Sequence, residues 1–154
     1  MLVTHCGTIQ GGKGDSFVYG ILAGTYVYFG ETGDLPPKRW GQHISAGGTL
    51  TTRVLEMTPE TADGSDAMVF VGICCAPIHS LPESLQKVAR RQVEEELHRR
   101  FFVDKAAVHP DAELVSTPPP VSRRIKLPFD PRLVAIEAYE MICGEFRKAR
   151  AQMA

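Results

Sequence analysis

The sequence predicts a mixed α/β (α+β) domain, on the strength of two strand patterns and the helical segments around them. Residues 17–21 and 25–29 are rich in β-branched and aromatic side chains and flank an Ala-Gly pair, which predicts a β-hairpin. Residues 67–76 form an apolar run that predicts a buried strand ending at Pro77. We therefore expect a small sheet combined with helices.

Three further segments have helical patterns. Residues 37–46 begin with a proline and end at a Gly-Gly pair, as short helices often do. Ser80 and Glu83 have the spacing of a capping box, which predicts the start of a longer helix. Its apolar stripe repeats every four residues to about Phe102, through Leu85, Ala89, Val93, Leu97 and Phe101. A last helix is predicted from Asp130-Pro131, a cap followed by a first-turn proline.

These segments suggest a single domain with three parts. Residues 1–16 are glycine-rich and are expected to be a flexible lead-in, whereas residues 17–117 contain the predicted core. Residues 58–66 read as a polar loop. Three consecutive prolines begin the segment 118–154, which is interpreted as a stiff spacer and a C-terminal helix packed on the same domain.

Composition excludes several classes of protein. The 154 residues include 17 basic and 18 acidic side chains, so any surface that binds nucleic acid must be local. The longest nearly uninterrupted apolar run, residues 68–78, is much shorter than the roughly 20 residues of a membrane-spanning helix. No secretory signal is recognisable, and we expect a cytoplasmic protein.

Cysteine usage is consistent with a reducing compartment. The four cysteines have irregular spacing, and a domain of this length does not need disulfides. Zinc ligands at short spacing are offered only by His5 with Cys6, and by Cys74 and Cys75 with His79. Because Cys74 and Cys75 lie inside an apolar run, we interpret them as buried small hydrophobic residues rather than ligands.

An ordered set of residues carries the functional signal. Residues 18–21 read Val-Tyr-Gly-Ile, residues 28–30 read Tyr-Phe-Gly, and Arg39 and His43 follow one helical turn apart. Glu94 comes later, between Val93 and Leu97. Each piece is weak by itself, but the order resembles the GIY-YIG nuclease family over about residues 17 to 102.

The resemblance implies a fold and a chemistry. The fold would be a GIY-YIG core, with a small antiparallel three-stranded sheet flanked by helices. The activity would be hydrolysis of DNA phosphodiester bonds by a one-metal mechanism, with RNA as a further possible substrate. The catalytic residues would be Tyr19, Tyr28, Arg39, His43 and Glu94. Glu94 would hold one Mg²⁺ or Mn²⁺, with water and substrate oxygens completing the shell.

Chemistry leaves some of these roles open. Tyr19 is a candidate base or a hydroxyl that orients the attacking water, and His43 could accept its proton. Arg39 could favour the phenolate or bind a phosphate, while Tyr28 could position the phosphate or the water. Which tyrosine is the base is not decided by the sequence.

Glu94, Glu95 and Glu96 are consecutive, so the position of the metal-binding glutamate has to be chosen among them. On a helix they point in three directions about 100° apart, and Glu95 is expected to face away from the apolar stripe. Glu96 lies slightly closer to the stripe than Glu94, so geometry does not choose between them. The resemblance chooses Glu94.

One departure from the family concerns asparagine. The family usually has an asparagine after the glutamate helix, and this chain contains none. Asp104, His109 or Asp111 could replace it, and otherwise the site is altered.

Two other classes of function compete with the nuclease. One is a catalytically altered module that binds nucleic acid or a protein, and the other is a toxin nuclease with a partner inhibitor. Residues that could contact nucleic acid are Gly30, Thr32, Arg53, Arg90, Arg91, Arg123 and Arg124, with Lys87 and Lys126 as further basic positions.

Overall fold

The structure is a computed structural model that describes residues 4–10, 15–44, 48, 68–119 and 124–153. Its strands are β1 (Thr4–Gln10), β2 (Phe17–Ala23), β3 (Tyr26–Thr32), β4 (Met68–Cys74) and β5 (Glu113–Leu114). Its α-helices are α1 (Pro36–Ile44), α2 (Ala76–His79), α3 (Glu83–Val103) and α4 (Pro131–Met153), and a 3₁₀ turn covers Lys105–Ala107. The mixed α/β class and the C-terminal helix are therefore confirmed.

The sheet is larger than the predicted three strands. Strands β2, β3 and β4 are antiparallel neighbours, and β1 and the two-residue β5 add to the edges in parallel, giving the order β1-β4-β2-β3-β5. The hairpin turns at Gly24, whose φ of 61° suits a residue without a Cβ. The two edge strands escaped prediction because their partners are distant in sequence and their own patterns are short or broken by glycine.

Several local expectations change accordingly. Residues 4–10, expected within a flexible lead-in, pair with β4 instead. The predicted capping box at Ser80 is wrong. The Ser80 hydroxyl donates instead to the Pro77 carbonyl at 3.0 Å, because the unpredicted helix α2 ends there. Pro82 is the residue that precedes α3. The Asp130 cap is confirmed, since the Arg132 amide donates to its carboxylate at 2.9 Å. The predicted loop 58–66 lies outside the described residues.

Helices cover both faces of the sheet. One face packs against α3 and α4, where the Phe29 ring lies 6.1 Å from Phe101 and 6.0 Å from Tyr139. The other face carries a smaller apolar cluster beneath α1, with the Trp40 ring 5.0 Å from Phe70. In the part of the chain that the structure describes, no helix combines the length and apolar character needed to cross a bilayer.

Candidate active site

Tyr19 lies at the centre of the sheet, on the face that α1 covers. It pairs with Gly30 on β3 and with Gly72 on β4, and only 1% of its surface is exposed. A Cβ built on Gly30 would lie 2.4 Å from the Tyr19 hydroxyl oxygen and 2.4 Å from Cζ of the ring. The ring therefore lies directly across Gly30, which gives a packing reason for the glycine of the Tyr-x-Gly motif.

Gly72 makes room for α1 on the same face. A Cβ there would approach Pro36 Cγ to 2.7 Å and the Trp40 ring to 3.5 Å. The absence of a side chain thus lets the first turn of α1 lie against β4, and this brings Arg39 to the Tyr19 ring.

Arg39 acts directly on Tyr19. The guanidinium hydrogen-bonds to the phenol and lowers its pKa, but burial and the neighbouring Tyr28 raise the pKa by more. The net result is a pKa well above the usual range for tyrosine, so Tyr19 keeps its proton at neutral pH. A phenol that keeps its proton can donate a hydrogen bond to a water but is not available as a phenolate base.

The Arg39 guanidinium has donor capacity beyond Tyr19. Its Nη1 donates to Gln42 Oε1 at 2.9 Å, whereas its buried Nε has no hydrogen-bond acceptor among the described residues. A partly exposed forked donor beside a tyrosine hydroxyl suits a phosphate oxygen.

Glu94 belongs to the same group of side chains. Only 8% of Glu94 is exposed, and burial, with a further contribution from Glu31, raises its pKa to about 8. Arg91 and Arg39 oppose this rise, and Glu94 in turn raises the pKa of Tyr19. Four of the five predicted catalytic residues, Tyr19, Tyr28, Arg39 and Glu94, are thus brought together.

The fifth predicted catalytic residue, His43, lies on α1, but its side chain is outside the described part of the chain. The same holds for Arg53 and Arg123, two of the predicted phosphate contacts.

The choice among the three glutamates follows burial. Glu94 is buried, whereas Glu95 and Glu96 both pair with Arg99, at 2.9 and 2.7 Å. Glu95, which was expected to face away from the apolar stripe, is also held by Arg124 at 2.7 Å, and its side chain is largely covered. The segment around Arg124 folds back over α3, and a helical wheel contains no information about such a segment.

Arg90 lies inside the protein rather than on an open phosphate-binding surface. Its Nε donates to Glu31 at 2.7 Å, and the two side chains are only 12% and 14% exposed. Its Nη1 also donates to the Ser16 hydroxyl at 3.3 Å. Sequence reasoning missed this pair, although Glu31 follows the Tyr-x-Gly motif and Arg90 precedes Glu94 by one helical turn. The pair joins β3 to α3 and so sets the position of Glu94.

Thr32, another predicted nucleic-acid contact, also has an internal role. It is buried, and its hydroxyl accepts a hydrogen bond from the Asp34 amide at 3.0 Å. This bond shapes the turn between β3 and α1, which leads to Arg39.

A buried histidine supports the site from behind. His98 Nδ1 lies 2.9 Å from the Glu94 backbone carbonyl, and Nε2 lies 2.8 Å from the Ser116 hydroxyl. A carbonyl can only accept, so Nδ1 carries the proton and Nε2 accepts from Ser116. The Ser116 oxygen in turn accepts the Phe29 amide at 3.0 Å. The network links the Glu94 turn to the strand that carries Tyr28 and Gly30.

The residues considered as replacements for asparagine have other partners. The Asp104 carboxylate lies 3.8 Å from Arg100 Nη2, and the His109 ring accepts the Asp111 amide at 3.0 Å. For the His98–Ser116 network, the sequence offered one signal, which was the spacing of four residues between Glu94 and His98.

Comparison with protein-family models, with curated proteins and with solved structures finds no match to this chain.

Proposed function

We propose that this protein is a divalent-metal-dependent endonuclease that hydrolyses DNA phosphodiester bonds by the one-metal GIY-YIG mechanism. The observation that supports this most directly is the grouping of Tyr19, Tyr28, Arg39 and Glu94, which come from four separate elements. Their order in the chain is that of the family they resemble, and their proximity supplies the geometry that the order alone lacks.

The donor set fits Mg²⁺ or Mn²⁺. Mg²⁺ commonly binds through one or two carboxylates, with waters and substrate phosphates completing the shell. Glu94 is a buried carboxyl whose pKa is raised to about 8, because burial and Glu31 outweigh the two neighbouring arginines. A divalent cation would favour the ionised form and would supply charge stabilisation for the reacting phosphate.

The chain's own residues divide the remaining work. Arg39, which is partly exposed, binds a non-bridging phosphate oxygen through its forked donors. Tyr19, which keeps its proton, orients the attacking water, and Tyr28 positions the phosphate or that water beside it. The Arg90–Glu31 pair and the His98–Ser116 network hold Glu94 and β3 in place.

The binding surface is proposed to be local. Arg91 adjoins Glu94 and is partly exposed, so it can track the DNA backbone beside the cleavage site. We place this activity in the cytoplasm, with DNA as the partner and RNA as a second substrate to be tested.

Plasmid nicking tests the proposal. Purified protein is incubated with supercoiled DNA in Mg²⁺ or Mn²⁺, with and without chelator, and we expect metal-dependent nicks. Glu94→Gln is expected to abolish cleavage, whereas Glu96→Gln serves as the matched neighbour and should cut normally. Loss in Glu96→Gln alone would move the ligand assignment by two residues.

The alternative functions give different results. Intact supercoiled, linear and single-stranded DNA across both metals would refute the enzyme. Binding of labelled duplex without cleavage would then favour the altered module, and toxicity to the expression host would favour the toxin reading.

A further inference from the structure

A second group of metal-ligand atoms lies away from Glu94, where β2 begins and β4 ends. Asp15 precedes β2, Cys74 is the last residue of β4, and His79 is the last residue of α2. The three side chains come from positions 5 to 64 residues apart in the chain and are all partly exposed. Cys75 is buried, as predicted, but Cys74 is not.

The distances among these three side chains are close to those around a tetrahedral zinc ion. Cys74 Sγ lies 3.7 Å from His79 Nε2 and 3.8 Å from Asp15 Oδ2, and His79 Nε2 lies 3.6 Å from the other carboxylate oxygen, Asp15 Oδ1. Usual zinc bond lengths and a tetrahedral angle give roughly 3.5 Å for each pair that includes sulfur and roughly 3.3 Å for the nitrogen–oxygen pair. All three distances are within a few tenths of an ångström of these values.

The arrangement differs from a catalytic Cys-His-Asp triad. A triad needs the carboxylate on one ring nitrogen and the thiol on the other, so that the carboxylate orients the base. Here the sulfur and the carboxylate both face Nε2 of His79. One ligand atom from each of the three side chains lies within 4.8 Å of the others, which is compact enough for a single metal ion.

His79 Nε2 serves as an acceptor at this point. The Ser16 amide donates to it at 2.9 Å, and the Asp15 carboxylate, also an acceptor, lies 3.6 Å from the same nitrogen. A metal ion that took the place of the Ser16 amide would bring the nitrogen, the carboxylate and the sulfur into favourable contact.

We propose that Asp15, Cys74 and His79 bind a zinc ion, with an exchangeable water as the fourth ligand. Imidazole and thiolate select zinc over Mg²⁺, which prefers oxygen ligands, so this centre is separate from the one proposed at Glu94. On binding, Cys74 releases its thiol proton to solvent as the zinc–sulfur bond forms, and His79 Nε2 exchanges the Ser16 amide for the metal.

The role of this zinc would be to join three elements. It would link the start of β2, the end of β4 and helix α2. The neighbouring Ser16 hydroxyl accepts from Arg90, the partner of Glu31, so the centre adjoins the framework that positions Glu94. We therefore expect zinc to raise the thermal stability of the folded protein.

Cobalt is the spectroscopic probe for the test. Full-length protein is stripped with a chelator and titrated with Co²⁺, and a thiolate-to-cobalt absorption band in the near ultraviolet should saturate at one equivalent. Zn²⁺ should displace the cobalt and raise the melting temperature. Neither reading depends on nuclease activity, so this test and the plasmid test can fail independently.

Two ligand variants and one control variant test the assignment. Cys74→Ser should lose the band, and Asp15→Asn should keep it while weakening the affinity about tenfold or more. Cys6→Ser is the control, because His5 and Cys6 are the other zinc candidates in the sequence. A wild-type protein without the band, or a band that Cys74→Ser retains, would overturn the proposal. If Cys74→Ser does not fold, an Asp15→Asn affinity equal to that of the wild type overturns it.

Discussion

Replacing Gly30 with alanine should disturb the site by moving Tyr19. The new Cβ would lie 2.4 Å from both the hydroxyl oxygen and Cζ of Tyr19, whereas ordinary contact begins near 3.4 Å. The ring must therefore move by about 1 Å. It cannot swing into solvent, because it is 1% exposed and packed in the apolar cluster under α1.

Two magnitudes follow from this displacement. Overpacking of a buried site costs about 1–3 kcal/mol of stability, and the lower backbone entropy of alanine offsets part of it. A catalytic group displaced by about 1 Å lowers a rate by roughly a hundredfold. We therefore expect Gly30→Ala to lose most of its cleavage activity and to lower the free energy of unfolding moderately.

Urea denaturation and plasmid nicking, measured on the same preparation, test both magnitudes. Gly41→Ala is the control: it lies on the same helix as Arg39, and among the described residues no atom beyond its chain neighbours and the adjacent backbone of that helix lies within 4 Å of its added Cβ. Alanine there should stabilise α1 by about 0.5–1 kcal/mol and leave cleavage unchanged. Gly30→Ala protein with wild-type stability and wild-type cleavage would refute the packing of Tyr19 across Gly30.

Three further predictions concern single side chains. Tyr19→Phe should lower the nicking rate at least about a hundredfold. The free energy of unfolding should change by only about 1 kcal/mol, because the variant loses one hydrogen bond to Arg39. Normal cutting by this variant would exclude the hydroxyl from the mechanism. Glu94 has a pKa raised from 4.5 to about 8, so the metal-free folded protein binds more protons than the unfolded chain and loses stability as pH rises through this window. In urea titrations with chelator, the free energy of unfolding of Glu94→Gln should therefore rise by about 3 kcal/mol relative to that of the wild type between pH 5 and pH 8. Parallel pH dependence in the two proteins would contradict the burial of Glu94. Burial lowers the pKa of His98, so the unfolded chain binds a proton that the folded protein does not, and the wild type loses stability as pH falls below 6.5. His98→Gln should lack this loss when the free energies of unfolding of variant and wild type are compared at pH 7.5 and at pH 5.5.

Local patterns in the sequence were sufficient for most of the fold. The hairpin, β4 and α4 have apolar patterns with turn or capping signals within a few positions of their ends, α3 has its apolar stripe, and all four form. Gly24 and Asp130 end or begin elements through their own backbone or side-chain chemistry. The ordered motif from Tyr19 to Glu94 could likewise be found without coordinates, because it depends on residue type and spacing.

Tertiary structure decided what depends on distant neighbours. The parallel edge strands, the Arg90–Glu31 pair and the His98–Ser116 network each join segments separated by 18 residues or more, and nothing in a local pattern encodes those separations. Burial also decided protonation: Tyr19 keeps its proton because its phenol is buried, and Glu94 differs from Glu96 because Glu94 is the buried one of the two. Residue identity determines which groups can react, whereas the dielectric and the neighbours that set their pKa exist only after the chain has folded.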